Sequence, residues 1–368
     1  MSSKKDKFNN SDKKFMYLAL NLARSRHGQT GDNPSVGCVI VKNGTIISIG
    51  QTGFNGRPHA EYNAITSSNE KLDGSKMYVT LEPCNHYGKT PPCTNQIIKN
   101  KIKEVYYSID DIDKKVKGKT LKILRSKNIL VKKGLYKNNL RTFYEPYRFN
   151  RKFKKPYVIG KIAMSKNNLI YSEGNKRITD ISSDKLTHYL RYKNDSILIS
   201  YKTLNKDNPK LNCRLMGLKK FSPKRIILDN KLETKISSYI FKSANKKNTI
   251  IFYNNANHKK IKLFKKKGIQ LIKASLSPNK YFQLNLLLKK IYSLGCRNLL
   301  VEGGKDLSNS FLKKKLFNQF YLFKSPNKLS KLGLNKEFKS FKYLTQNYKS
   351  KSKINTILGK DSIILYKK

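Results

Sequence analysis

Apolar positions recur along this chain in short bursts between lysine- and asparagine-rich stretches, and their spacing alternates between helical and strand periods. Phe15, Leu18, Ala19, Leu22 and Ala23 lie at helical spacing, with Ser11 placed to cap and Gly28 to stop a first helix. Residues 36–41 and 45–50 read as two strands around a Lys42-Asn43-Gly44 turn. Pro58-His59-Ala60-Glu61 opens a helical pattern continued by Ala64 and Ile65, and the short apolar strand 77–81 runs directly into Glu82-Pro83-Cys84. A helix around residues 96–98, a strand at 104–108, a helix at 120–125 and a strand at 129–131 follow. This alternation predicts a layered α/β domain.

A second α/β alternation begins at residues 157–163, with strands at 196–199, 225–228, 249–252 and 298–301 and helices at 185–191, 258–266 and 282–294. Between the two series, Arg148, Arg151, Lys152, Lys154 and Lys155 crowd a stretch with little periodicity, which predicts a linker over 149–156 and domains at 1–148 and 149–368. The lysine-rich final fifty or so residues give no clear period, and no internal repeat relates the halves.

Composition changes this picture in few places. The chain has 368 residues, 38% of them hydrophobic, enough for two cores when clustered this way. No run approaches the roughly 18 apolar residues of a membrane helix, and no apolar stretch follows Met1, so no membrane partner and a cytoplasmic location are expected. The net charge is +55, from 78 Lys+Arg against 23 Asp+Glu. The lysines are scattered along the whole chain, which reads as compositional drift rather than a built nucleic-acid surface, so no specific nucleic acid is expected; such a field still steers anionic substrates inward. Five cysteines, an odd number, argue against a disulfide framework.

Cys84 and Cys93 differ from the other three. With His59 they offer one imidazole and two thiolates, a zinc shell that leaves a fourth position for water. An ion held so lowers the pKa of its water to about 7. Glu61, two residues after His59 at a helix start, is placed to act as general base and then general acid without ligating the metal. The H-x-E and P-C elements together are the signature of zinc nucleobase deaminases. Eight residues, Asn85-His86-Tyr87-Gly88-Lys89-Thr90-Pro91-Pro92, separate the two cysteines; Asn85, His86 and Lys89 are candidates for substrate contact, and His86 is a competing ligand to Cys93.

The run Glu82-Pro83-Cys84-Asn85-His86-Tyr87-Gly88-Lys89-Thr90-Pro91-Pro92-Cys93 resembles the E-P-C-x-H-x-G-x-T-P-P-C element of the riboflavin-biosynthesis pyrimidine deaminases, and Asn33-Pro34-Ser35-Val36-Gly37-Cys38-Val39 and Pro58-His59-Ala60-Glu61 match as well. The resemblance implies a bifunctional, self-associating enzyme: a cytidine-deaminase-like three-layer domain holding Zn2+, followed by a dihydrofolate-reductase-like domain using NADPH. It implies a phosphorylated pyrimidine riboside as substrate, with Asn33 and His86 among its contacts.

The second half carries Val301-Glu302-Gly303-Gly304-Lys305-Asp306-Leu307 between a strand and a helical stretch; by itself this is a simple strand-to-helix turn, and no G-x-G-x-x-G is present. The resemblance makes Gly304, Lys305, Asp306, Leu307, Ser308, Asn309 and Ser310 NADPH contacts, together with Met164, Arg177, Asn230 and, because Thr203-Leu204-Asn205-Lys206-Asp207-Asn208-Pro209 resembles the family's T-x-x-x-D-x-P turn, Thr203 and Asp207. It makes Asn175, Arg191, Leu211, Arg214 and Glu302 substrate contacts, the two guanidinium groups suiting the ribose phosphate; without it each arginine reads as surface charge. Ser165-Lys166-Asn167-Asn168 departs from the family's S-L-D-G, and Arg177-Ile178-Thr179 from its Trp-Ile-Thr. Two other readings are a tRNA-type base deaminase with a basic accessory domain, and a structural zinc beside an interaction module.

Overall fold

The computed structural model describes residues 8–170, 177–329, 337–338, 340–354 and 359–368. Two compact units divide between Lys154 and Lys155.

In the first unit, α1 (Asn10–Arg26) precedes the hairpin β1 (Gly37–Lys42) and β2 (Thr45–Gln51), followed by α2 (Ala60–Thr66), β3 (Lys76–Leu81), α3 (Cys93–Lys99), β4 (Glu104–Ile109), α4 (Lys119–Arg125), β5 (Leu130–Lys133), α5 (Lys137–Phe143) and α6 (Glu145–Phe153). The sheet order is β2-β1-β3-β4-β5, with β3, β4 and β5 parallel and β1 antiparallel to both its neighbours. Alternate side chains serve opposite faces: Cys38, Ile40, Met77 and Val79 pack with Ala60, Ala64, Ile97 and Leu124 from α2, α3 and α4, while Val39, Val41, Tyr78 and Tyr106 pack with Met16 and Ala19 of α1. This is a three-layer α/β/α unit with both sheet faces covered.

Two expectations are corrected here. Asn9, not Ser11, caps α1, because Asn9 Oδ1 accepts from the Asp12 amide at 2.7 Å and Asp12 Oδ2 accepts from the Asn9 amide at 2.9 Å, a reciprocal capping box that places Ser11 in the first turn. The stretch read as a linker is largely helix α6, started by Pro146. Its basic residues Arg148 and Lys152 face outward and mask the pattern, while Asn150 is buried and Tyr147 Oη donates to Asp111 Oδ1 at 3.0 Å.

The second unit contains β6 (Tyr157–Met164), α7 (Ile181–Lys193), β7 (Ser196–Ser200), α8 (Tyr201–Asp207), β8 (Lys224–Leu228), α9 (Tyr239–Lys242), β9 (Thr249–Tyr253), α10 (His258–Lys266), β10 (Gln270–Lys273), α11 (Leu284–Ser293), β11 (Asn298–Val301), α12 (Lys305–Lys313), β12 (Gln319–Lys324), α13 (Phe341–Asn347), β13 (Ser350–Lys353) and β14 (Ser362–Lys367). They form a nine-stranded sheet ordered β10-β9-β8-β7-β11-β6-β12-β14-β13, parallel from β10 to β12 and closed by antiparallel β14 and β13. The expected turn at 203–209 is the helix α8, capped by Ser200 and ended by Asn208 in the left-handed region at φ 40°. The tail that gave no period supplies three strands. Phe320 and Leu322 are buried in β12, whereas β13 is wholly exposed and carries lysine at alternate positions, a composition that discourages edge-to-edge pairing.

The glycine at position 50 decides where the first unit's chemistry sits. A Cβ there would lie 2.2 Å from the Ala60 carbonyl oxygen and 2.4 Å from the Ala64 amide nitrogen, so α2 rests directly on the backbone of β2. Gly50→Ala is expected to destabilise this unit by about 1–3 kcal/mol and to weaken zinc retention by lifting His59 and Glu61; urea unfolding combined with a chelator assay measures both.

Candidate functional site

His59 is the N-cap residue of α2, Cys84 follows the end of β3, and Cys93 is the first residue of α3. The sheet therefore brings three segments to one point. His59 Nδ1 lies 3.5 Å from Cys84 Sγ and 3.4 Å from Cys93 Sγ, and the three donor atoms all lie within 4.8 Å of one another. Among the described residues the cluster comprises these three and not His86. Its members are one borderline nitrogen and two soft sulfurs, Cys93 buried and the other two partly so, and they suit Zn2+.

The electrostatics agree with that fit. The Cys93 thiol, the His59 ring and the Cys93 amide all hydrogen-bond Cys84, the amide at 3.3 Å, and these hold the Cys84 thiol far below its usual range, at about 4, against the opposing effect of burial. Cys93 shifts upward for the reciprocal reason, its proton shared toward Cys84 and its surroundings buried. Burial pushes the Glu61 carboxyl up to about 7, with His59 acting in the other direction. Glu61 is 4% exposed and sits in the first turn of α2.

The loop between the cysteines and its surroundings divide the remaining residues. Asn85 Nδ2 donates to Val116 O and to Thr120 Oγ1, both at 3.0 Å, so this side chain holds protein rather than facing the pocket as the sequence suggested. Asn33 Nδ2 donates to Gly56 O at 2.8 Å, which ties its loop to the segment before His59. His86 Nδ1 is buried without a hydrogen-bond partner, an acceptor or donor open to a ligand. Arg57 donates to Thr90 Oγ1 and so anchors the loop that carries Lys89.

In the second unit the carboxyl ends of the parallel strands gather Met164, Ser200, Asn230 and Glu302 from β6, β7, β8 and β11 or the residue or two that follow them. The N-cap of α12 is Gly304, with no side-chain cap, so the first amides of a nine-residue helix are left for an anion. A Cβ on Gly304 would reach Thr203 Oγ1 at 3.3 Å, and one on Gly303 would meet Leu307 at 3.0 Å, so both glycines keep a close backbone approach open. Asn230 Oδ1, two residues past the end of β8 on the same sheet edge, is buried without a partner. Bare helix amides and a glycine cradle suit the phosphates of a dinucleotide such as NADPH, while the orphaned amide oxygen suits a hydroxyl or amide donor of the same cofactor.

Other expected contacts are held by the protein itself. Ser308 Oγ donates to Gly303 O at 3.3 Å, Ser310 Oγ donates to Asp306 O at 2.8 Å, and Asn309 Oδ1 accepts from Ser340 at 2.7 Å, which leaves the backbone of Lys305, Asp306 and Leu307 as the open part of α12. Arg177 pairs with Asp184 at 2.7 Å, Asp207 is exposed at the end of α8, and the Met164 carbonyl accepts from Ser325 at 2.9 Å. Asn175 lies outside the described residues. Ser165-Lys166-Asn167-Asn168 still builds a tight turn. Asn168 takes φ 62°, a region Asn tolerates, and Asn167 clamps Leu329 through both amide groups at 2.8 and 3.1 Å.

The resemblance implies Arg191 and Glu302 as separate substrate contacts, and the structure joins them to each other. Arg191 Nε and Nη2 donate to the two carboxylate oxygens at 2.8 and 2.7 Å, and Nη1 donates to Asn212 O at 3.2 Å. Burial would raise the Glu302 carboxyl, but Arg191 outweighs it and holds the pKa below the ordinary carboxylate range. Leu211 is buried with a left-handed backbone at φ 53°, a strained conformation for a leucine. Arg214 is exposed and lines a cavity of about 370 Å³ with Lys210 and Lys219, so its guanidinium, more than that of Arg191, is placed for a phosphate. Sequence reasoning missed Lys161, whose signal was a lone charge inside the apolar run of β6. Its ammonium lies 4.8 Å from the Phe323 ring centre; burial pulls its pKa down while Glu302 acts the opposite way.

Known proteins match both units. The family model for the cytidine and deoxycytidylate deaminase zinc-binding region matches residues 9–109, and that for the RibD C-terminal domain matches 156–329. The riboflavin biosynthesis protein RibD of Aquifex aeolicus is 35% identical over 359 residues, 97% of this chain and 98% of its own. That of Actinobacillus pleuropneumoniae is 32% identical over 97% of this chain and 95% of its own. Among solved structures, the Thermotoga maritima diaminohydroxyphosphoribosylaminopyrimidine deaminase/5-amino-6-(5-phosphoribosylamino)uracil reductase superposes with a TM-score of 0.81 at 28% identity, covering 97% of this chain and 98% of that one. Acinetobacter baumannii RibD superposes at 0.82 with 25% identity over the same shares. With a deaminase zinc-binding region and a reductase domain both matched and the relatives covered nearly end to end, the chain belongs to the RibD family of bifunctional riboflavin-biosynthesis proteins.

Proposed function

We infer that this chain carries out two successive steps on one phosphorylated pyrimidine riboside. The first is zinc-dependent hydrolytic deamination of diaminohydroxyphosphoribosylaminopyrimidine. The second is NADPH-dependent reduction of the ribosyl group of 5-amino-6-(5-phosphoribosylamino)uracil to a ribityl chain. The observation that carries the reading is the His59, Cys84 and Cys93 cluster beside buried Glu61, in a chain whose second half matches the RibD reductase model.

Zinc, when bound, supplies the Lewis acidity that makes water a nucleophile at neutral pH. His59, Cys84 and Cys93 would hold it. Glu61 accepts the proton of the attacking water and returns it to the departing amine, and its buried setting keeps both protonation states within reach near neutrality. His86 and Asn33 flank the ring. In the second unit NADPH, when bound, supplies the hydride. Gly304 to Leu307, Thr203 and Asn230 would hold it, with Met164, Arg177, Asp207 and Ser308 to Ser310 completing the proposed set. Arg214 receives the phosphate, while the Arg191–Glu302 pair and Leu211 shape the wall that orients the ribose. Orientation is the protein's main contribution to a hydride transfer.

No described helix is long and apolar enough to cross a membrane, and nothing favours the tRNA-type deaminase over a small-molecule enzyme. A homo-oligomeric, cytoplasmic enzyme is part of the same reading, supported by the family resemblance. Supplying the diaminopyrimidine phosphate with and without NADPH tests the whole. Ammonia is expected in both cases and NADPH oxidation only after ammonia appears; ammonia without any NADPH oxidation would sink the second half, and neither signal would sink both.

A further inference from the structure

Glu82 stands two residues before the ligand Cys84, is 3% exposed, and forms no salt bridge among the described residues. Its carboxylate instead accepts three backbone amides. Oε2 accepts from Asp111 at 3.1 Å and Gly118 at 3.0 Å, and Oε1 accepts from Thr120 at 3.2 Å. Asp111 and Gly118 belong to the loop from β4 into α4, and Thr120 to the first turn of α4. The same segment, loop and first turn of α4, grips the residues on either side of Cys84: Thr120 Oγ1 donates to Pro83 O at 2.6 Å, and Asn85 Nδ2 donates to Val116 O at 3.0 Å. From the opposite side α3 holds Cys84 itself, through the Cys93 amide on Sγ at 3.3 Å and the Thr94 amide on the carbonyl at 3.1 Å.

A buried carboxylate with no cation is costly unless its lone pairs are filled, and a plain loop closure does not need one. What this arrangement secures is the path of three residues, Pro83, Cys84 and Asn85, whose middle member must present sulfur at a fixed angle to His59 and Cys93. We propose that Glu82 is a positioning residue for the metal: by fixing the segment 111–120 against Pro83 and Asn85 it sets the direction of the Cys84 sulfur. The proposal rests on the zinc reading of the first unit. It places no group of Glu82 in contact with substrate.

The test uses Glu82→Gln in the full chain. Gln keeps the shape but turns an NH2 group toward backbone N–H donors. Three results are expected: transfer of zinc to a chromophoric chelator about 10–100-fold faster than from the wild type; a shifted visible spectrum of the cobalt-substituted protein; and faster amide exchange at Asp111, Gly118 and Thr120 in the zinc-free protein. Deamination should lose kcat with KM little changed, and NADPH-dependent turnover should match the wild type. If Glu82→Gln does not fold, Thr120→Val, which removes the bond to Pro83 O, is expected to shift the cobalt spectrum in the same sense. A wild-type spectrum and wild-type zinc release in whichever variant folds would overturn the proposal. Failure of the wild-type chain to take up cobalt at all would overturn the metal reading beneath it.

Discussion

Glu61→Gln is expected to lower ammonia release by about 10²–10⁴-fold while zinc stays bound and reductase turnover persists. The substitution preserves the shape and hydrogen-bonding reach of the side chain and removes only its ability to accept and return a proton. None of the three metal donors is altered, because Glu61 lies one helical position beyond Ala60 and its carboxylate is not among the clustered ligand atoms. The hydride step belongs to the other unit and draws on no residue of α2. Metal content by atomic absorption, ammonia by a coupled assay and NADPH oxidation with the deaminated intermediate separate the three consequences. Near-normal deamination in this variant would remove Glu61 as the proton carrier, and loss of zinc would show that it acts instead by holding the site together.

The zinc site was legible because its chemistry lies in residue identity at short range. H-A-E and E-P-C, with a strand running into the second, are local signals, and the fold needs only to bring α2, the end of β3 and α3 together. Strands buried on both faces, such as β1, β7 and β8, were legible as unbroken apolar runs. The missed elements share a cause. In α6 the exposed lysines and arginines obscure a face built from Tyr144, Tyr147 and Asn150, and β13 has no buried side chain, existing only through its pairing with β14. Relations across the chain were illegible in principle. Nothing in the two sequence neighbourhoods shows that Arg191 meets Glu302, or that the segment after β4 fills the carboxylate of Glu82. Both depend on a crossover that places distant segments on one edge of a sheet.

That long-range pair gives the largest expected effect on stability. Arg191→Met is expected to destabilise the second unit by about 3–5 kcal/mol at pH 7, and to reverse the pH dependence that Glu302 contributes. The paired side chains are 11% and 13% exposed, so removing the guanidinium leaves a buried carboxylate without a hydrogen-bonded cation, with Lys161 and His188 acting on it only at longer range. In the wild type the Glu302 pKa is held below its unfolded value of about 4.3; its stabilisation is present above that value and is lost as the pH falls through the folded pKa. Without Arg191, burial raises the folded pKa above the unfolded one. The protonated form is then the one the fold prefers, so Glu302's contribution is full below pH about 4.3 and is lost as the pH rises. The stability gap between variant and wild type should therefore be widest at neutral pH and narrow in acid, a trend that urea titrations of the second unit's transition at several pH values would display. Arg191→Met/Glu302→Leu should recover much of the loss, because no buried charge is then left alone, while NADPH-dependent turnover stays low in both variants. Parallel stability curves for Arg191→Met and wild type across this pH range would show that the pair is not what holds Glu302 ionised.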